Sequence, residues 1–291
     1  MAKPQRDSDS RLSAEEPGGS AGEAAAAAAE RPPRRGSAGE RRPQRGAAGE
    51  AAAARGAAGE AAAAREAAGE AAQPDVADLV IGILGGTGPE GRGLARRFAI
   101  AGNTVLIGSR SEDRAIAAAA DLDAGPDVRG LPNDAAAREA DVVIVAVPWE
   151  GHAALVASLA AELAGKIIID CVNPLGFDKQ GAFALRVEEG SAAEQTAALL
   201  PGSRVVGAFH HVSSVLLLDP EIAEVPMDVL VLGDDRAATD VVQALAARIP
   251  GTRGVYAGRL RNCSQVEALT ANLVAINRRY KAHAGLRITD V

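Results

Sequence analysis

The sequence predicts an α/β fold in which helices cover both faces of a doubly wound, mostly parallel sheet. Short runs rich in β-branched residues alternate with segments whose apolar residues recur at helical spacing, which is typical of parallel sheets. The first run is followed at once by a glycine-rich turn and a helix, the local order of a Rossmann-like unit. After the sheet, we expect a small helical part at the end of the chain.

Composition separates the first part of the chain from the rest. Residues 1–78 contain no Phe, Tyr, Trp, Ile or Cys, and they repeat Ala-Gly-Glu every ten residues from Glu40 to Glu70. Such small side chains bury too little apolar surface to offset the backbone entropy lost on folding. We therefore predict that residues 1–78 form a disordered or transiently helical low-complexity extension. The folded part is expected to begin at Leu79.

Charge and composition exclude several classes of protein. The net charge is −7 and only 2% of residues are aromatic, which argues against a partner made of nucleic acid. No apolar run reaches the roughly 18 residues of a membrane span. The 2 cysteines fit a reducing compartment and predict a cytoplasmic protein. The His, Cys and acidic residues do not form a metal-ligand spacing, so no metal site is predicted.

The first predicted strand leads into a nucleotide-binding turn. Leu79–Leu84 is a short apolar run, and the next residues match G-x-G-x-x-G at Gly86, Gly88 and Gly91. In this motif the first glycine permits a tight turn, the second lets the backbone approach a pyrophosphate, and the third lets helix and strand pack closely. Pro89 suits the first position of the helix, whose N-terminus attracts phosphate.

The end of the next predicted strand, Thr104–Ile107, indicates which dinucleotide binds. NAD-binding proteins usually place Asp or Glu there, to accept hydrogen bonds from the ribose. This chain instead has Ser109 and Arg110, with Arg114 one helical turn later. Guanidinium groups form charge-assisted hydrogen bonds with a 2′-phosphate, whereas a carboxylate would repel it. The sequence therefore predicts NADP(H) rather than NAD.

The remaining elements place further side chains at the carboxyl ends of strands, where such sheets bind ligands. Strands are predicted at 141–148, 166–170, 204–209 and 228–233, and helices at 152–163, 191–200, 236–249 and 264–283. Val147 and Trp149 follow one strand and Asn173 follows the next. Trp149 either packs beside the nucleotide or fastens the strand to the following helix. Asn173 either bonds the ribose or nicotinamide, or only starts a turn. Cys171 is expected to be inert.

No protein nucleophile is evident, since the chain lacks G-x-S-x-G and a recognisable Ser–His–Asp or paired-carboxylate pattern. Hydride transfer between two bound rings needs none, because the protein supplies proximity and electrostatics. Two alternatives stay open. One is an NADP-dependent reductase of an imine or keto acid, which would need a positioned proton donor. The other is a non-enzymatic NADP-binding redox sensor.

Seven motifs in order resemble the NADPH-dependent reductases of the deazaflavin coenzyme F420. They are GGTGPEG (85–91), GSR (108–110) with Arg114, VPWE (147–150), KIIIDCVNPL (166–175), SAAE (191–194), GAFHH (207–211) and EALT (267–270). The resemblance covers about Leu79 to Ile288. It implies reversible hydride transfer between NADP(H) and coenzyme F420, with no other partners than these small molecules.

The resemblance also implies roles for particular residues. The cofactor-binding set comprises Gly86, Thr87, Gly88, Pro89, Glu90, Gly91, Ser109, Arg110, Arg114, Val147, Trp149, Ala153, Asn173, Ser214 and Leu286. Within it, the loop from Thr87 to Glu90 holds the pyrophosphate, and Ser214 and Leu286 lie against the deazaflavin together with His210. We predict His210 as the catalytic residue, which holds the deazaflavin ring and neutralises charge on its pyrimidine side; a purely structural role is the alternative. His152 and His283 are expected to have no role.

The domain organisation follows from these expectations. Residues 79–233 are predicted as the NADP-binding Rossmann domain, and residues 234–291 as a small α-rich part on the deazaflavin side. A homodimer is expected, with its contact on the last helix. The apolar residues of that helix are Val266, Leu269, Leu273 and Ile276. The same stripe can instead pack within the chain.

Overall fold

The computed structural model describes residues 73–291, and its centre is one sheet of eight strands. The strands of this sheet are β1 (Ile81–Leu84), β2 (Val105–Ser109), β3 (Val128–Pro132), β4 (Val142–Val145), β5 (Ile167–Asp170), β8 (Arg204–Gly207), β9 (Asp228–Gly233) and β10 (Arg253–Gly258). A separate antiparallel hairpin consists of β6 (Leu175–Asp178) and β7 (Gly181–Ala184).

Helices connect these strands and cover the sheet. They are α1 (Pro89–Ile100), α2 (Glu112–Ala120), α3 (Asn133–Glu139), α4 (Trp149–Ser158), α5 (Ala160–Leu163), α6 (Ala192–Leu199), α7 (Ser214–Leu218), α8 (Arg236–Ala247) and α9 (Cys263–Tyr280), with a 3-10 turn at Leu260–Asn262. None of the helices found in residues 73–291 has the length and apolar character needed to cross a bilayer.

The strand order is β10-β9-β8-β5-β4-β1-β2-β3. Neighbouring strands are parallel except β8 and β9, which are antiparallel. The run β3-β2-β1-β4-β5-β8 reproduces the 3-2-1-4-5-6 order of a Rossmann sheet. The predicted fold class is therefore confirmed.

Two apolar cores lie on opposite faces of the sheet. On one face, Phe98 of α1 meets Phe209 edge-on, with ring centroids 6.0 Å apart. On the other face, Val156 of α4 and Leu163 of α5 are fully buried against the strands. All four residues of β1 are buried, because a parallel strand between two helical layers has no face in water.

The fold begins earlier than composition predicted. Val76 is only 5% exposed, and the side-chain amide of Asn103 donates to the carbonyl oxygens of Val76 at 2.8 Å, Ala77 at 3.1 Å and Leu79 at 3.2 Å. The predicted boundary after residue 78 is thus a few residues too late, because the buried Val76 and the Asn103 side-chain amide hold this segment against the fold. The remainder of the predicted extension, residues 1–72, lies outside the described residues.

The end of the chain adds to the sheet as well as to the helices. Within residues 234–291, which were expected to be α-rich, β10 pairs in parallel with β9. Because β9 runs antiparallel to β8, its first residue, Asp228, comes to the end of the sheet where β8 finishes. The buried Asp228 carboxylate accepts hydrogen bonds from Arg253 at 2.8 Å, from Arg287 at 3.2 Å and from the amide of Ile288 at 2.7 Å. These contacts hold Arg287 and Ile288 at the end of the sheet where β8 finishes.

Candidate functional site

The turn after β1 is built around close backbone packing. Gly85 has φ +71°, and a side chain at Gly85 would collide with Val147. The tight turn assigned to Gly86 is therefore made by Gly85, because Gly85 is the residue with positive φ. Gly86 is required for a different reason: a Cβ atom there would lie 2.8 Å from the carbonyl oxygen of Ile83.

The start of α1 leaves room for a ligand. A Cβ atom on Gly91 would lie 2.6 Å from the Cα of Gly86, so this glycine lets the helix lie against the turn. Gly88, in contrast, has no neighbour nearer than the Gly85 oxygen at 3.7 Å. Gly88 is the N-cap of α1 and supplies no side-chain hydrogen bond to the first turn. The first amides of α1 are therefore available to an anion such as a pyrophosphate.

A groove of about 540 Å³ runs along this end of the sheet. Among the predicted site residues it is lined by Thr87, Gly88, Ser109, Arg110, Arg114 and Val147. Its walls also include Gly85, Asn133, Ala146, Pro148, Glu150, Gly151 and Leu155, which the sequence did not assign to a site. The glycine turn and the two predicted phosphate-binding arginines thus share one groove.

One end of the groove is cationic. Arg110 and Arg114 are exposed, and neither guanidinium forms an ion pair with any side chain of residues 73–291. Ser109 is 6% exposed at the end of β2, and its hydroxyl accepts from the amide of Ser111 at 3.2 Å. The Ser111 hydroxyl in turn caps α2 by accepting from the amide of Arg114. This local structure places two uncompensated positive charges beside the groove.

Asn133 joins the glycine turn to the neighbouring strands. It is 8% exposed at the start of α3, and its Oδ1 accepts from the amide of Gly85 at 3.4 Å. A Cβ atom on Gly108 would lie 2.7 Å from that oxygen. Sequence reasoning missed Asn133 because it missed β3 and α3. α3 begins at Asn133 with Pro132 as its N-cap and no side-chain cap, so the sequence carried no clear helix-start signal there.

A buried polar network lies at the carboxyl end of β5. The Asp170 carboxylate is fully buried and faces the Nε2 atom of His152 at 2.7 Å. The Thr196 hydroxyl donates to the same carboxylate at 2.6 Å, and the amide of Val172 donates at 3.0 Å. The Nδ1 atom of His152 faces the Oε1 of Gln195 at 3.0 Å. His152, to which the sequence analysis gave no role, therefore ties α4 to β5 and α6.

The pKa values of this pair move apart. Burial raises the pKa of Asp170, but the hydrogen bond and charge of His152, with Thr196 and Val172, outweigh it and hold the pKa below the usual range. Burial lowers the pKa of His152, but Asp170 and Gln195 outweigh it and the net shift is upward. Both shifts favour the charged forms, and the contact is an ion pair when His152 is protonated.

The Trp149 side chain packs against this network. Its ring stacks on the imidazole of His152 with centroids 5.5 Å apart and an interplanar angle of 29°. Trp149 is half-buried at the start of α4 and is not part of the groove wall, and neither is the half-buried Ala153. Trp149 and His152 both belong to α4, so this stacking does not decide between the two alternatives for Trp149. Cofactor contacts by Trp149 and Ala153 stay predictions.

His210 follows a strained residue at the end of β8. Phe209 has φ +63°, a conformation that a bulky side chain adopts at a cost of about 1–3 kcal/mol and that occurs mainly at functional sites. His210 is 6% exposed, and its enclosed ring nitrogens form no hydrogen bond of good geometry with the described residues, although the backbone of Cys171 and Val172 lies close by. Burial lowers the pKa of His210 to about 4. This shift favours the neutral imidazole near pH 7; that His210 neutralises charge on the deazaflavin stays a prediction.

Both polar atoms of the Asn173 side-chain amide form hydrogen bonds within the protein. Its Nδ2 donates to the carbonyl oxygen of His210 at 3.1 Å, and its Oδ1 accepts from the Thr270 hydroxyl at 3.0 Å. These bonds connect the end of β5, the end of β8 and α9. One Nδ2 proton stays available for a ligand, as an amide carries two.

The last helix is held in place by a buried carboxylate. Glu267 of α9 is 2% exposed and accepts from the amides of Ala192 at 2.9 Å and Ala193 at 3.2 Å, at the N-terminus of α6. Burial raises the pKa of Glu267 to about 7, although the two amides act in the opposite direction. Of the apolar residues on α9, Val266 and Leu273 are buried within the chain, whereas Ile276 is 39% exposed.

Ser214 and Leu286 lie at the same end of the sheet as His210. Ser214 is the half-buried first residue of α7, a short helix held by Arg97 of α1, which donates to the carbonyl oxygens of Leu216 at 2.6 Å and Leu217 at 2.8 Å. The carbonyl oxygen of Leu286 accepts from the amide of Asp228 at 2.8 Å.

Glu90 is the second residue of α1, and its carboxyl group turns inward. Its Oε1 atom is enclosed by protein and has no hydrogen-bond partner among the described residues. Burial raises the pKa of Glu90 to about 8. Cys171 is a buried residue at the end of β5, and its thiol donates to the carbonyl oxygen of Val145 at 3.1 Å. Burial raises the pKa of Cys171 well above the usual range, which disfavours the reactive thiolate; that Cys171 is inert stays a prediction. Residues 73–291 contain no cluster of three groups suited to a metal ion.

Comparison with known proteins identifies relatives over most of the described chain. The family model described as NADP oxidoreductase coenzyme F420-dependent matches residues 80–174. An F420-dependent NADP reductase of Methanothermobacter thermautotrophicus is 39% identical over 222 residues, which cover 72% of this chain and 95% of that protein. One from Methanocaldococcus jannaschii is 38% identical and covers 72% and 98%. A similar fold is found in a crystal structure from Arthrobacter sp. FB24, which is provisionally named an F420-dependent NADP reductase. The two structures superimpose with a TM-score of 0.63 at 27% sequence identity. The match covers 72% of this chain and 99% of that one.

Proposed function

The chain belongs to the family of F420-dependent NADP reductases, and from this premise we propose that it catalyses reversible hydride transfer between NADP(H) and coenzyme F420. The substrates are the two small molecules. Nicotinamide and deazaflavin rings supply the redox chemistry themselves, and the protein contributes binding, orientation and electrostatics.

The observation that carries the proposal is the shared groove. At one place it contains the uncapped N-terminus of α1, and at another the unpaired guanidinium groups of Arg110 and Arg114. A helix N-terminus favours a pyrophosphate, and two free guanidinium groups favour a second phosphate. A dinucleotide with a 2′-phosphate has both features, so the site is better suited to NADP(H) than to NAD(H).

A second ring would lie near His210, beyond the glycine turn. The two ring nitrogens of His210 are buried polar atoms that form no hydrogen bond of good geometry with the described residues, and such atoms are rare unless a ligand completes them. Asn173 and Thr270 hold the backbone of His210 in place. Ser214 and Leu286 provide a hydroxyl and an apolar surface at the same end of the sheet. A neutral imidazole there donates or accepts a hydrogen bond rather than supplying charge.

The experiment that tests this function follows the deazaflavin. Protein, NADPH and oxidised F420 are mixed, and the visible absorbance of oxidised F420 is recorded. We expect its loss at a rate that depends on the protein, and its recovery when reduced F420 is mixed with NADP+. Binding of NADPH without any turnover would favour the redox sensor instead. Replacement of F420 by a cyclic imine or keto acid tests the alternative reductase.

The assembly that we propose is a homodimer. Large apolar side chains are exposed on the β6–β7 hairpin and on the adjacent α9: Phe177 (71%), Phe183 (45%), Val274 (36%), Ile276 (39%) and Tyr280 (73%). Phe177 and Val274 line one pocket between the hairpin and α9, and exposed apolar side chains on neighbouring elements support a protein contact there. The two free cysteines, both buried, support a reducing and hence cytoplasmic environment.

A further inference from the structure

The side chain of Asn133 crosses the end of β2 to reach the glycine turn after β1. Strands β2 and β3 are parallel and end side by side, so Arg110 and Asn133 directly follow the ends of neighbouring strands. From there the Oδ1 atom of Asn133 accepts from the amide of Gly85 at 3.4 Å. The crossing depends on Gly108, because a Cβ atom on that residue would lie 2.7 Å from the same oxygen.

The other polar atom of this side chain is free to bind a ligand. The Nδ2 atom of Asn133 donates no hydrogen bond to residues 73–291 and, unlike the ring nitrogens of His210, it is not enclosed by protein. Asn133 belongs to the wall of the 540 Å³ groove, as do Gly85, Arg110 and Arg114. Since an amide nitrogen carries two protons, Nδ2 is a hydrogen-bond donor available to a ligand in this groove.

Two phosphate-binding features flank Asn133 and define the ligand group that it meets. On one side, the turn that it bonds leads into the uncapped N-terminus of α1, which suits a pyrophosphate. On the other side, Arg110 and Arg114 suit a 2′-phosphate. In NADP(H) the group that joins these phosphates is the adenosine ribose. Its oxygen atoms accept hydrogen bonds, which Nδ2 can donate.

The charge of the wall around Asn133 differs from that of a site for NAD. The acidic residue among those that line the groove is Glu150, which lies in α4 after β4, and β1 and β2 separate β4 from β3. The wall residues that follow β2 and β3 are instead two arginines and the uncharged Asn133. A carboxylate at the ribose accepts from the 2′-hydroxyl of NAD and repels a 2′-phosphate.

Resting on the proposed function, we propose that Asn133 is a further residue that determines the preference for NADP(H) over NAD(H). Its Nδ2 donates to an oxygen of the adenosine ribose, and its lack of charge lets the adjacent 2′-phosphate bind. Arg110 and Arg114 attract the phosphate, whereas Asn133 holds the ribose without repelling it. The contact of Oδ1 with Gly85 fixes the amide in the orientation that presents Nδ2 to the ligand.

The test introduces a carboxylate at this position in the full chain. In Asn133→Asp, one carboxylate oxygen still accepts from the amide of Gly85, but the free donor is replaced by a negative charge. We expect NADPH to bind roughly tenfold or more weakly, because the carboxylate and the 2′-phosphate repel each other across a few Å. NADH should change by less than about threefold, because its ribose hydroxyl can donate to the carboxylate. Fluorescence titration gives both dissociation constants.

Two further variants separate this effect from a general one. Arg138→Gln lowers the net charge by the same single unit on the same helix, at an exposed residue outside the groove wall, and should retain the preference for NADPH. Asn133→Ala removes the donor without adding charge and should weaken both nucleotides by about twofold to tenfold. It keeps the proposal testable if Asn133→Asp does not fold, which urea unfolding of each variant would show.

The outcomes distinguish this role of Asn133 from the proposed function. An unchanged preference for NADPH in Asn133→Asp, or an equal loss of both nucleotides, would overturn the role of Asn133 and leave the proposed function intact. The same conclusion would follow if Asn133→Ala bound both nucleotides as tightly as the wild type. A wild-type protein that bound neither nucleotide, or that preferred NADH, would overturn the proposed function itself.

Discussion

The Nε2 atom of His152 lies 2.7 Å from the Oδ2 atom of Asp170, and neither side chain is exposed to solvent. This contact joins α4 to β5 at the end of the sheet that holds the groove. Trp149 stacks on the imidazole, and the amide of Val172 bonds the carboxylate. The His152–Asp170 pair thus holds in place the segments that follow β4 and β5. It affects the candidate site by positioning these two segments.

We expect His152→Asn to lower the free energy of unfolding by about 3–5 kcal/mol at about pH 6, because it leaves a buried carboxylate without its cation. The pKa of His152 is raised on folding, so its contribution is complete below about 6.5 and is lost as the pH rises through the folded value. The pKa of Asp170 is lowered, so its contribution is present above about 4 and is lost as the pH falls.

Urea unfolding of the wild type and the variant at several pH values measures this effect. The difference between them should be largest between about pH 4 and 6.5 and should shrink as the pH rises through the raised pKa of His152. His283→Asn, at an exposed histidine, is the matched control and should change stability little at any pH. A difference that grows with pH would contradict the ion pair.

Arg110 and Arg114 give the second prediction. Replacing both with Ala should weaken NADPH binding by roughly 100-fold and NADH binding much less, because only NADPH carries the 2′-phosphate that would accept their charge-assisted hydrogen bonds. Dissociation constants for the two nucleotides provide the measurement. Arg129→Ala is the control, since Arg129 is exposed and already paired with Glu139 at 2.8 Å. An unchanged preference for NADPH would place the phosphate elsewhere.

The exposed hairpin gives the third prediction. Phe177→Ser together with Phe183→Ser should convert a dimer to a monomer, because the change removes the two most exposed aromatic side chains of the β6–β7 hairpin. Light scattering coupled to size exclusion measures the mass. Tyr256→Ser, at a residue of β10 that is 43% exposed, should leave the mass unchanged. A wild-type monomer at micromolar concentration would rule out the homodimer.

The sequence was sufficient for the parts of the fold that local patterns determine. The buried strands β1, β4 and β5 are continuous apolar runs, and the predicted helix at 191–200 starts with S-A-A-E, the sequence of a capping box. In the structure the Ser191 hydroxyl accepts from the amide of Glu194 at 3.0 Å and donates to its carboxylate at 2.9 Å. Such features need only neighbouring residues, so they can be predicted without tertiary information.

Other features depend on contacts that no local pattern contains. β3 and β10 are edge strands and only partly buried, so their apolar pattern is weak. The partners of His152 are Asp170 and Thr196, which are distant in sequence and meet it only in the folded chain. The charge state of His210 could not be predicted either, since burial decides it.

The neutral state of His210 gives the last prediction. His210→Ala should weaken F420 binding by about threefold to tenfold, the usual value of one neutral hydrogen bond, while NADPH binding changes little. Since burial lowers the pKa of His210 to about 4, F420 affinity in the wild type should be constant between about pH 5.5 and 8. Fluorescence titration with F420 across this range measures both effects. His210→Asn should restore part of the affinity, because an amide can replace one hydrogen bond of the imidazole but not a positive charge. An affinity that fell with a midpoint near pH 6.5 in the wild type, and was flat in the variants, would show that a cationic imidazole binds the deazaflavin instead.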